Sequence, residues 1–69
     1  MNPALIGAKI RSMRGEESQG ALADKLNISR SALAMYERGE RIPRDEVKIR
    51  IANHFNVSVE SIFFTPSEH

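Results

Sequence analysis

Apolar positions along the chain recur at helical rather than strand spacing. Ile6, Ile10 and Met13 fall on one face, with Lys9, Arg11 and Arg14 around them, and this spacing predicts a first helix over 4–14 behind Pro3. Gly15-Glu16-Glu17 breaks it. Leu22, Ala23 and Leu26 form the inner stripe of a second helix over 19–26, with Ser18 as its N-cap. Asn27 suits the left-handed residue that often closes a helix, and Ile28 fills the corner behind it. Ser29 caps a third helix over 30–37, whose inward residues are Ala32, Leu33, Tyr36 and Glu37, and Gly39 stops it. After a loop ending at Pro43, Val47, Ile51, Ala52 and Phe55 predict a fourth helix over 44–55, with Asp45 and Glu46 complementing the dipole of its first turn. Asn56 closes it. Ser58 caps a short fifth helix over 59–63, returning Ile62 and either Phe63 or Phe64 to the core. The expected fold class is all-α, with a domain over 1–64 and a loose tail over 65–69; no repeat and no strand is expected.

The helices over 19–26 and 30–37 are joined by so few residues that they must cross sharply. A small residue at Ala23 lets the two backbones approach. The crossing consumes Leu22, Leu26, Ile28, Leu33 and Tyr36, and leaves Arg30, Ser31, Ala34, Met35 and Arg38 on a free face. A short helix pair whose second member presents a polar, basic face is the arrangement by which proteins offer a helix to the major groove of DNA. Arg30 can donate two hydrogen bonds to a guanine edge, Ser31 can bond a base or a phosphate, and Ala34 and Met35 suit a thymine methyl. Gln19, Ser29, Arg38, Arg41 and Arg44 are the expected phosphate contacts. Glu37, on the inner side of its helix, needs a cationic partner; Arg14 is the first choice and Arg11 the second.

Composition adds limits more than clues. The 69 residues carry 10 Lys+Arg against 9 Asp+Glu, a balance that argues for no partner by itself. Placement says more, because five of the arginines lie between Arg30 and Arg50. The chain has no cysteine, which removes disulfides and thiolate chemistry. No apolar run approaches the roughly 18 residues of a membrane span. The expectation is a cytoplasmic, nucleoid-associated protein of one core with no second, ligand-sensing domain. His54 and His69 lack a nucleophile or a ligand set, so no catalytic residue, metal, cofactor or small-molecule ligand is expected. Ile49 lies on the outer side of the fourth helix and Phe64 has no evident core slot; with Ile62 they are the expected surface of a weak homodimer.

The segments IGAKIRSMR at 6–14, SQGALADKLNISRSALAMYERG at 18–39 and IANHFNVSVESIF at 51–63 resemble the Cro and repressor helix-turn-helix family of phage and bacterial regulators, also called the xenobiotic-response-element type. The resemblance runs from about Ile6 to Phe63. It implies a five-helix, lambda-repressor-like domain with its third helix in the major groove of double-stranded DNA. It also implies a dimer on a near-palindromic operator, with half-sites about one helical turn apart. By position it assigns groove contacts to Arg30, Ser31, Ala34 and Met35, a phosphate clamp to Gln19 and Arg38, and the ion pair of many members to Arg14 and Glu37. The sequence departs from the pattern in a joint between Arg14 and Gln19 about two residues shorter than in many relatives. It also carries Gly20 and Ala21 where acidic helix-formers are usual, and Lys48 in place of a leucine, with Val47 expected to fill that slot. A stand-alone Cro-like repressor fits best. A protein-interaction module (an antitoxin or antirepressor) and a controller protein of a restriction–modification system are the alternatives.

Overall fold

The computed structural model describes residues 2–64. They form five helices: α1 (Pro3–Arg14), α2 (Gln19–Leu26), α3 (Arg30–Glu37), α4 (Asp45–Phe55) and α5 (Val59–Phe63). The tail expected over 65–69 lies outside the described residues. Four of the five starts are marked by a capping side chain. Asn2, Ser18, Ser29 and Ser58 take extended backbone, and their side chains accept from the N–H of Leu5, Ala21, Ala32 and Ser61, which satisfies a donor the helix itself cannot. Asn2 is thus the cap of α1, with Pro3 at its first helical position. Arg44, expected as the first residue of α4, is instead its N-cap and makes no side-chain capping bond.

One corner geometry occurs twice. Asn27 (φ 56, ψ 46) and Asn56 (φ 56, ψ 45) both stand in the left-handed region. Behind each, the next residue's N–H reaches back to an alanine carbonyl, Ile28 to Ala23 at 3.0 Å and Val57 to Ala52 at 3.0 Å. A serine then caps the following helix. The expectation of no repeat therefore missed a local one: Ala-x-x-apolar-Asn-apolar-Ser builds the turn between α2 and α3 and again between α4 and α5.

The core gathers one stripe from every helix: Ile6 and Ile10, Leu22, Ala23 and Leu26, Leu33 and Tyr36, Val47, Ile51 and Ala52, and Ile62 and Phe63. Met13, Ile28 and Phe55 pack against it half-buried. Two expectations need correction. Ile62, placed on the dimer surface, is 1% exposed and belongs to this core, because the α4–α5 corner turns it inward. Lys48 was expected to cede its slot to Val47, yet both are buried. The α4 stripe runs 47, 48, 51, 52, and the long lysine stem lies along the core.

α1 lies mainly on α3, and the approach is close. A Cβ on Gly7 would stand 2.4 Å from the Glu37 carbonyl oxygen and 2.6 Å from that of Tyr36, so only glycine lets the two backbones meet here. This contact sets the first half of α1 against the C-terminal end of α3. Long side chains tie the outer elements. Lys9 Nζ donates to the Ser61 carbonyl at 3.0 Å, joining α1 to α5. Arg50 Nη1 donates to the Leu26 and Asn27 carbonyls at 2.9 and 3.2 Å. It thereby fastens the C-terminal end of α2 to α4.

Candidate nucleic-acid interface

The α2–α3 pair is set by Ala23, 1% exposed at the crossing, with Leu22, Leu26 and Leu33 sealed beneath it. Both helices are only eight residues long, so their orientation comes from this packing rather than from intrinsic helix stability. What remains outside is the predicted face. Arg30 and Ser31, in the first turn of α3, are exposed, and Ala34 and Met35 one turn later are half-exposed. Among the described residues Arg30 forms no ion pair. Its guanidinium is therefore available to an external acceptor, and an apolar step follows it along the helix.

Behind α3 sits a buried polar knot. Arg14 Nε donates to Glu37 Oε2 at 2.7 Å and Nη2 to Oε1 at 2.9 Å, a two-pronged pair. Arg14 Nη1 also donates to the Glu17 carbonyl at 2.7 Å, which holds the short joint between α1 and α2. Gln19 Nε2 donates to Glu37 Oε1 at 3.0 Å. The Glu37 side chain is 4% exposed and that of Arg14 16%. Burial alone pushes the Glu37 carboxyl up. The hydrogen bonds from Arg14 and Gln19, with the charges of Arg14 and Arg11, outweigh it and hold the group below the ordinary carboxylate value. The Glu37 bond, opposed by desolvation and helped by the charges of Glu37 and Glu17, raises the Arg14 guanidinium's affinity for its proton. Both stay charged, and the knot locks α1, α2 and α3 in one relative position.

Gln19, expected on a phosphate, is thus already tied inward by one amide hydrogen, which fixes the direction of the rest of its side chain. Arg38 lies at the end of α3, exposed, and makes a two-pronged pair with Glu40 at 2.8 and 3.0 Å. That pair is open to water on both sides, so a phosphate can compete for the guanidinium. Beyond it, Ser29, Arg41, Arg44 and Arg50 border a groove of about 250 Å³ at the foot of α3. Arg44 is only loosely held, 3.4 Å from the exposed Glu46, and Arg41 forms no ion pair among the described residues. Arg38 therefore stands at the C-terminal end of the free face of α3, and Arg41 and Arg44 border the groove along its Ser29–Ala32–Tyr36 side. Arg50, which the sequence reading did not assign to the site, borders that groove and anchors it through the α2 carbonyls; only its place in the arginine-rich stretch hinted at this.

The model of the helix-turn-helix family matches residues 10–62, a span that contains the corner, the free face and the ion pair. The chain belongs to the Cro/C1-type helix-turn-helix family. No curated protein and no solved structure matches it. Membership makes the chain a DNA-binding regulatory domain of a family that is not one of enzymes. His54, the one histidine among the described residues, lies edge-on to the Phe55 ring at 4.8 Å, a packing arrangement. No group of metal-ligating side chains occurs among the described residues, and no described helix is long and apolar enough to cross a membrane.

Of the expected dimer residues, Ile49 and Phe64 are 51% and 46% exposed, whereas Ile62 is interior. Phe63, not Phe64, fills the core slot.

Proposed function

We propose that this helix-turn-helix chain is a sequence-specific regulator of the Cro type, a repressor that reads a near-palindromic operator in double-stranded DNA through α3 in the major groove. Arg30 reads a guanine, Ser31 a base or phosphate, and Ala34 and Met35 the apolar edge of a thymine. Gln19, Ser29, Arg38, Arg41 and Arg44 hold the backbone and supply most of the salt dependence. The chain works as a weak homodimer through the surface bearing Ile49 and Phe64, at least on DNA, in the cytoplasm on the nucleoid. The observation that carries this reading is the exposed face of α3, led by Arg30, which makes no ion pair among the described residues, with exposed Arg38 at its end and Arg41 and Arg44 beside the helix.

Selection of bound duplexes from a random library, repeated at two salt concentrations, tests it. The expected result is an enriched motif with two related half-sites and an affinity that falls steeply with salt. No enriched motif together with a flat salt response would overturn the proposal. Sedimentation showing a monomer both free and on a palindromic duplex would remove the dimer.

A further inference from the structure

The surface formed by α4 and α5 carries a feature that DNA reading does not use. Ile49 and Phe64 stand beside a groove of about 380 Å³ that Asp45, Lys48 and Val59 complete. None of these residues belongs to the helix pair. Within this largely apolar surface Lys48 is an anomaly. The residue is 9% exposed, and its ammonium sits 5.7 Å from the ring centroids of both Phe63 and Phe64. Asp45 Oδ1 is 3.5 Å away, yet that side chain is 96% exposed, so water surrounds most of the carboxylate. Lys48 is thus a cation held in a hydrophobic wall, with two aromatic faces and one edge of a carboxylate for company.

The surface contains both halves of a fit: a half-exposed ring beside an open groove of which it forms one wall, and a cation beside an anion. A two-fold contact between identical copies requires this, since each feature must meet its complement on the same patch of the other copy. We infer that Lys48 is the specificity-determining residue of a face that accepts a second copy of this chain. In that pairing the second copy's Phe64 enters the groove and lays its face toward the ammonium. The second copy's Asp45 shares the Lys48 charge, and the reciprocal contacts form across the axis. This rests on the homodimer proposed above and adds the selection rule. An apolar surface that offers neither a ring nor a carboxylate opposite Lys48 would strip water from the ammonium without replacing it, and is rejected. A lone polar group in an otherwise apolar seam specifies partners in helical coiled coils by the same physics.

The test compares self-association of the wild type, Asp45→Lys and Lys48→Met by sedimentation equilibrium, with circular dichroism melts to verify folding. Differently labelled copies are then mixed to read hetero-pairing by energy transfer. Asp45→Lys alters an exposed side chain and sets cation against cation across the axis, so its self-association should fall about tenfold or more. Mixed with Lys48→Met, which removes the opposing charge and keeps the stem, it should pair better than with itself. A wild type that dimerises while Asp45→Lys dimerises equally well overturns the role of Lys48 and leaves the homodimer standing. A wild type that stays monomeric, free and on a palindromic duplex, overturns the homodimer and this inference with it.

Discussion

Replacing Glu37 with alanine should cost this domain a large part of its stability while leaving its reading face chemically intact. The substitution removes the acceptor of three hydrogen bonds: two from Arg14, at 2.7 and 2.9 Å, and one from Gln19 at 3.0 Å. Breaking a buried ion pair from one side costs about 3–5 kcal/mol, because the remaining charge stays desolvated. The lower end applies here. The Arg14 side chain is 16% exposed, so water reaches it, and its Nη1 keeps the Glu17 carbonyl. At about 3 kcal/mol and 4–8 °C per kcal/mol for a domain of this size, the melting midpoint should fall by roughly 12–24 °C. That is a large share of the ~4–10 kcal/mol such a domain holds in total. The pH dependence gives a second handle. The folded Glu37 carboxyl lies below its unfolded value, so its contribution is complete above the unfolded pKa and is lost as pH falls through the folded one. Melts of the wild type and Glu37→Gln, followed by circular dichroism from neutral pH downward, should therefore differ most at neutral pH and converge in acid. A Glu37→Ala protein that melts with the wild type but has lost duplex selectivity would make Glu37 a reader rather than a brace.

Gly7→Ala should cost about 2 kcal/mol or more in the same melts, because the new methyl would meet backbone oxygens at the α1–α3 contact that no rotamer change can move; an unchanged midpoint would show that contact to be loose. Asn27→Ala should destabilise by about 1 kcal/mol, since alanine resists the left-handed conformation there, whereas Asn27→Gly should be near neutral. Arg50→Met should lower stability by roughly 1–2 kcal/mol by freeing the Leu26 and Asn27 carbonyls, and on the proposed reading it should weaken duplex binding without altering the preferred sequence.

The helix boundaries were legible because the residues that set them act locally. Ser18, Ser29 and Ser58 cap through their own side chains, and Asn27 and Asn56 take a conformation few other residues tolerate. That Glu37 needs a cationic partner was legible, since a carboxylate on an inner helical face needs a cation within reach; Arg14 was preferred to Arg11, and the family resemblance pointed to the same pair. Other features had no such signature. Lys48 reads as polar in any periodicity, yet its stem is long enough to bury while its charge finds two rings and Asp45. Phe63 and Phe64 both offered a ring for one core slot at the end of α5. Which of them faces inward depends on how the second Asn-Val-Ser corner directs the helix, and sequence spacing over five residues cannot say. Arg50 and Lys9 bind carbonyls at helix ends that become neighbours only once the bundle has closed. The approach at Gly7 was invisible for the same reason: its partner is backbone, 30 positions away.

On the proposed function labour is divided, with α3 reading bases and the neighbouring arginines holding phosphates. Binding isotherms of Arg30→Ala and Arg41→Ala on the selected duplex and its single-base variants, each across a salt series, separate the two roles. Arg30→Ala should lose about 1–3 kcal/mol, cease to discriminate at one base position and keep the wild-type salt slope. Arg41→Ala should weaken every sequence alike and reduce that slope by roughly one. If both variants instead lose affinity uniformly and shift the slope equally, Arg30 is one more phosphate contact and the assignment of specificity to it is wrong.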